Sequence, residues 1–129
     1  MSETSELPVE DDELLARFVP FSGWIRPSNQ TVKPDAFMPP ENLELSVIRH
    51  VGLSIQELWQ IGQSIVAARP AKLHGRADIG AGDVRKQSLD VVPTSQPRNH
   101  AHITGWPREK SAQKIIAQEL AASATFIGR

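Results

Sequence analysis

Leu43-Glu44-Leu45-Ser46-Val47-Ile48-Arg49 and, four residues later, Ser54-Ile55-Gln56-Glu57-Leu58-Trp59-Gln60-Ile61-Gly62-Gln63-Ser64-Ile65-Val66 carry two different hydrophobic periods side by side. Leu43, Leu45 and Val47 alternate with period two, the pattern of a strand with one buried face. Ile55, Leu58, Trp59, Gly62, Ile65 and Val66 recur at helical spacing on one face. Ser54 and Glu57 form a capping box, in which the hydroxyl accepts from the amide three residues on and the carboxylate reaches back to the cap amide. This predicts a strand over 43–49 and a helix from Ser54 that ends at or before Arg69-Pro70. Gly62 interrupts the apolar face at a cost of about 1 kcal/mol relative to Ala, which predicts close approach of another element there.

On the N-terminal side, Leu14, Leu15, Phe18, Val19, Phe21, Trp24 and Ile25 mark the expected start of ordered structure, with an extended segment near 17–25. Pro27, Pro34, Pro39 and Pro40 then exclude a helix up to 42, and Phe37 and Met38 are the expected anchors of that loop. On the C-terminal side, 71–79 reads as a short strand or an irregular segment and Gly80-Ala81-Gly82 as a turn. Asp83 to Gln87 reads as a helical turn, and Leu89-Asp90-Val91-Val92 and His100 to Thr104 as strands. A final helix is expected from Pro107 or Arg108 to Phe126, burying Ala112, Ile115, Ile116, Leu120 and Ala124. The later strands are too closely spaced for helical crossovers. The expected fold is therefore α+β: an antiparallel or mixed sheet of three to five strands with two main helices packed on one face.

The 129 residues suit one domain, and the absence of cysteine removes disulfide scaffolds, cysteine zinc sites and a thiolate nucleophile. No apolar run is long enough to span a membrane and the acidic start does not fit a targeting peptide, so a cytoplasmic protein with no membrane partner is expected. The net charge of -1 is unevenly distributed: residues 1–16 carry six acids and no base, whereas 17–129 carry 14 bases against nine acids, or +5. This divides the chain into a disordered acidic leader over 1–13 and a single domain over 14–129, and predicts that deleting the leader leaves the fold intact. A competing reading folds the leader back over a basic face.

Lys33-Pro34-Asp35-Ala36-Phe37-Met38-Pro39-Pro40, Leu45-Ser46-Val47 with Arg49, Gly75-Arg76-Ala77-Asp78, Asn99-His100-Ala101, and Gly105-Trp106-Pro107 followed by Lys110 resemble the pattern of a family of small uncharacterised bacterial proteins. The resemblance spans nearly everything after the leader. It implies a bacterial single-domain protein and carries over no activity and no catalytic residue.

Chemistry is sought first among the histidines. His100 and His102 alternate along a strand and so share a face, which makes them the acid-base candidates. A two-histidine metal site would need a third ligand, His74 or Asp78, that nothing in the sequence brings near, so no metal and no cofactor are assigned. His102-Ile103-Thr104 matches an element that two-histidine phosphoesterases use in duplicate, but the second copy is absent: His50 precedes Val51-Gly52 and His74 precedes Gly75-Arg76. Arg49, Arg76, His100 and Lys33 are the anion-binding candidates, because a guanidinium fork suits phosphate and carboxylate, and Arg85 is a further possible member of that cluster. Arg76 beside Asp78 also reads as a local ion pair. No phosphate loop, dinucleotide fingerprint or nucleophile elbow occurs. The expected function is an interaction module that binds a partner protein or a small anionic ligand through a mildly basic body. A small hydrolase or transferase acting on a nucleotide or phosphoester, and a nucleic-acid-binding module, are the alternatives.

Overall fold

The computed structural model describes residues 7–68, 71–94 and 96–129. The strands are β1 (Leu14–Val19), β2 (Ile25–Arg26), β3 (Thr31–Val32), β4 (Leu45–Arg49), β5 (Gly75–Gly80), β6 (Asp90–Pro93), β7 (His100–Thr104) and β8 (Thr125–Gly128). The helices are α1 (Ile55–Ala67), α2 (Ala81–Arg85) and α3 (Lys110–Ser123), with 3-10 turns at Ser22–Trp24 and Pro34–Phe37. Six strands form one antiparallel sheet in the order β6-β7-β4-β1-β5-β8, and β2 and β3 form a separate hairpin. The architecture is α+β as expected, with one more strand in the main sheet than the expected upper limit. The additional strand is β8: the chain leaves the helix at Ala124, and Thr125 to Gly128 pair with Asp78 to Gly75 instead of continuing the helix.

The two main helices do not share a face, contrary to expectation. Along β1 the alternation sends Leu15 and Val19 into one core and Ala16 and Phe18 into the other. The first core holds Leu45, Val47, Ala77, Ile79, Ala101 and Ile103 from the sheet under Ala117, Leu120 and Ala121 of α3, Val84 of α2 and Phe37 of the 3-10 turn. The second is smaller and packs Ile48, Ala16 and Phe18 against Leu58 and Val66 of α1. Strands β6 and β7 contribute no buried apolar residue to this second core, so α1 covers only part of its face. On α3 the buried residues are Gln113, Ala117, Leu120 and Ala121, whereas Ile115, expected inside, is 63% exposed.

The capping box is present, with Glu57 N donating to Ser54 Oγ and Ser54 N to Glu57 Oε1. Gly62 is buried against Phe18, whose ring occupies the space a Cβ would need. Gly62→Ala is therefore expected to lower stability by about 1–3 kcal/mol, overpacking outweighing the gain in helix propensity. Urea denaturation checks this, and Phe18→Leu in the same chain should recover part of the loss.

Candidate functional site

The candidate anion-binding residues are distributed over both faces of the sheet. Arg49, at the end of β4, lies on the α3 side and is 1% exposed. Its Nε and Nη2 donate to the two carboxylate oxygens of Glu13 at 2.8 and 2.7 Å, and Nη1 donates to the Leu7 carbonyl at 2.7 Å. Arg85 holds the same segment, donating to Asp11 Oδ1 and to the Val9 carbonyl, both at 2.6 Å. Residues 7–13 are thus packed onto the domain, with Val9 in the core, and the expected boundary at 13 is too late. The physical reason is that a buried guanidinium must be paired and hydrogen-bonded, and this segment supplies the carboxylate and the carbonyls. The part of the expected leader over 1–6 lies outside the described residues.

Arg76 lies on the other face and is also committed. Its Nε donates to both oxygens of Asp78 at 3.0 and 3.1 Å, and His50 Nε2 contacts the same carboxylate at 3.0 Å. The Arg76 guanidinium carbon stands 4.6 Å from the Trp59 ring centroid and that of Arg129 stands 5.1 Å from it. Arg76 Nη1 is buried with no hydrogen-bond partner among the described residues. The π face of Trp59 supplies its electrostatic compensation in place of an oxygen. Lys33 precedes the 3-10 turn packed against α3, its backbone amide donating to the Trp24 carbonyl.

His100 and His102 do share a face, with ring centroids 4.6 Å apart and planes at 89°. The register places His100, Ile48, Ala16 and Asp78 in one row across β7, β4, β1 and β5. Three strand spacings, about 14 Å, therefore separate His100 from Asp78 and its partner Arg76. Arg49, Arg76 and the histidines do not converge on one substrate.

A different group of residues does converge. Where α1 leaves the sheet uncovered, a cleft runs between β1, β4 and β7 on one side and Ile65 and Val66 of α1 on the other. Its inner part, about 60 Å³, is walled by Phe18, Trp24, Ile48, Ile65 and Val66 and includes Arg17, Ser46 and His100. The outer part, about 450 Å³, shares Arg17, Ser46, Ile65 and His100 and adds Met38, Pro39, Pro40 and Glu44. That outer volume falls in the range of small-molecule sites.

His100 is 8% exposed, and its Nδ1 lies 2.6 Å from the Thr94 hydroxyl. The same hydroxyl is also placed to donate to the Gln96 and His100 carbonyls, each 3.3 Å away. Burial, and secondarily the neighbouring His102, lowers the His100 pKa from its ordinary value and keeps the ring neutral at pH 7. His102 Nδ1 lies 3.3 Å from Glu44 Oε2. Ser46 is exposed and stands directly opposite His102 in the register. Arg17 donates to the Ala36 and Ser46 carbonyls and lies over the Trp24 ring, its guanidinium carbon 5.5 Å from the centroid.

Strand alternation in the sequence predicts the shared face of His100 and His102, whereas Ser46, Glu44, Thr94 and Arg17 come beside them only through pairing between strands. The available signal was that Glu44, Ser46 and Ile48 alternate on the face opposite Leu45 and Val47. Among the described residues no group of three His, Asp or Glu side chains is placed to hold a metal ion, and no helix is long and apolar enough to cross a membrane. No family model, curated protein or solved structure matches the chain.

Removing Glu13 leaves the Arg49 charge buried without its carboxylate, so Glu13→Ala is expected to cost about 3 kcal/mol or more in urea denaturation. Combining it with Arg49→Met should recover much of that loss; a cost below about 1 kcal/mol would mark the pair as an ordinary surface ion pair. Burial pushes the Glu13 carboxyl up, but the bonds from Arg49 and the Glu10 amide and the charges of Arg49 and Arg85 outweigh it, leaving the pKa below the ordinary 4.5. Because the folded-state value is depressed, this contribution is present above pH 4.5 and is lost as pH falls through the folded value.

Proposed function

We propose that the protein is a binding module whose cleft beside α1 takes a small carboxylate with an apolar body. The observation that carries this reading is the joint lining of one cleft by apolar walls and convergent polar groups: Phe18, Trp24, Ile65 and Val66 with Arg17, Ser46 and His100. Ligand sites of this kind combine an apolar cavity with few polar groups that fix orientation. The apolar walls suit a hydrocarbon or aromatic body. The head group would meet the His100 Nε2–H and the Ser46 hydroxyl, with Arg17 bringing positive charge to the same wall. Glu44 at the outer mouth disfavours a second negative charge on the ligand, which argues for a monoanion over a phosphate or a nucleotide.

This reading narrows the anionic-ligand expectation and changes the residues that serve it. Arg49 and Arg85 hold residues 7–13, and Arg76 is engaged by Asp78 and Trp59. Much of the positive charge of the body is therefore compensated internally, which also weakens the case for nucleic-acid binding. Assignment to the small bacterial family and residence in the cytoplasm remain proposals alongside it.

Amide NMR shifts followed on titration with butyrate or benzoate test the reading. Saturable changes are expected at residues 16–18, 46–48, 65–66 and 100, with weaker changes for the matching uncharged amides. Ile65→Trp, which fills the cleft, should abolish them. Non-saturable or scattered shifts, or equal response to the amides, would contradict it.

A further inference from the structure

We infer that Ser46 is an acyl-accepting nucleophile in this cleft, with His102 as its base, Glu44 as the positioning residue for His102, and His100 as the donor to the developing oxyanion. The substrate class is a carboxylic ester with a short apolar acyl group. The inference rests on the binding reading above, because the acid released by such a reaction is the ligand class proposed there.

Each role follows from placement. Ser46 and His102 are direct cross-strand partners on β4 and β7, so their Cβ atoms stand about 4.5–5.5 Å apart on one face. The Ser46 hydroxyl makes no side-chain hydrogen bond among the described residues, which leaves it to rotate toward its neighbour. The role of base places the His102 proton on Nδ1, the nitrogen 3.3 Å from the Glu44 carboxylate, which leaves Nε2 with the lone pair that a base requires. Catalytic hydrogen bonds between nucleophile and base are commonly loose before substrate binds. His100 lies diagonally across from Ser46 and lines both parts of the cleft with it. The donor role assigns His100 the tautomer in which Nδ1 accepts from Thr94, 2.6 Å away, so that Nε2–H, with no partner among the described residues, is the donor. A neutral donor in a partly buried site suits a charge that appears only in the transition state. The inner cavity of about 60 Å³ limits the acyl part to a short chain, and the outer 450 Å³ receives the alcohol part.

The reaction balances within these groups. Ser46 Oγ bonds to the acyl carbon as its proton passes to His102 Nε2, and the carbonyl π pair moves onto oxygen beside the His100 N–H. Collapse breaks the bond to the alkoxy group, which leaves with the proton from His102. Water then attacks the acyl-Ser46 carbon, gives a proton to His102, and the acid is released as that proton returns to Ser46 Oγ.

The test treats the full chain with a fluorophosphonate probe and with para-nitrophenyl butyrate. Intact-mass and peptide mapping are expected to place one phosphonyl group on Ser46 and none on the Ser46→Ala variant, whose residue is exposed and tolerates the change. Butyrate release should fall about 10²–10⁴-fold in both Ser46→Ala and His102→Gln, the usual span for losing a positioned base. Glu44→Gln should retain labelling while moving the pH profile of turnover, a shift that a merely structural carboxylate would not produce. Labelling elsewhere, or equal turnover in Ser46→Ala, overturns the inference. If Ser46 is unlabelled while butyrate still gives saturable shifts in the cleft, the acyl-transfer inference fails and the binding reading stands. If both fail, both fall.

Discussion

A guanidinium buried at the end of a central strand constrains much of the molecule. Arg49 has five N–H donors and a charge that needs a counter-charge in the interior, and the nearest local residues, Ile48 and His50, supply none. The chain meets the demand from 36 residues away with Glu13 and adds the Leu7 carbonyl, which orders the segment before β1. The backbone of the same residue is held by Asn99, whose φ of 64° lets its carbonyl accept from Arg49 N while its side chain donates to the Arg49 and Val51 carbonyls. That clamp starts β7 at His100 and sets the register in which His100 faces Ile48 and His102 faces Ser46. A buried structural arginine thus determines the position of the histidines on the opposite face.

The two faces of the sheet are used differently. The α3 side is filled by three helical pieces and the residue 7–13 segment, and its charged groups are spent on packing. On the α1 side one helix covers β1, β4 and β5, with Phe18 against Gly62 and Trp59 over Arg76. β7 is left as a half-covered wall, and Val92 on the adjoining strand is 41% exposed. An apolar cleft with a neutral imidazole at its side is a consequence of that incomplete cover.

Period-two alternation at 43–49 and 100–104 and the capping box at Ser54 were readable because each is a local pattern. The pairing of His100 with His102 was readable for the same reason. The face chosen by each helix was not, because short strands with apolar residues on both sides, such as Leu15 beside Ala16, look alike from either face. Thr125 to Gly128 was hidden because a four-residue strand following a helix has no period of its own. The pairing of Arg49 with residues 7–13 leaves no local pattern, because it joins residues far apart in sequence. A serine on the solvent side of a strand, as Ser46 is, carries no signal until its cross-strand neighbour is known.

The protonation state of His100 brings these constraints to one observable. Imidazole nitrogen shifts followed by 15N NMR through a pH titration report both the tautomer and the pKa. A neutral ring with its proton on Nε2, titrating below the ordinary 6.5, is the predicted result. A proton on Nδ1, which would then donate to Thr94, or titration at or above that value, would contradict the donor role assigned to His100.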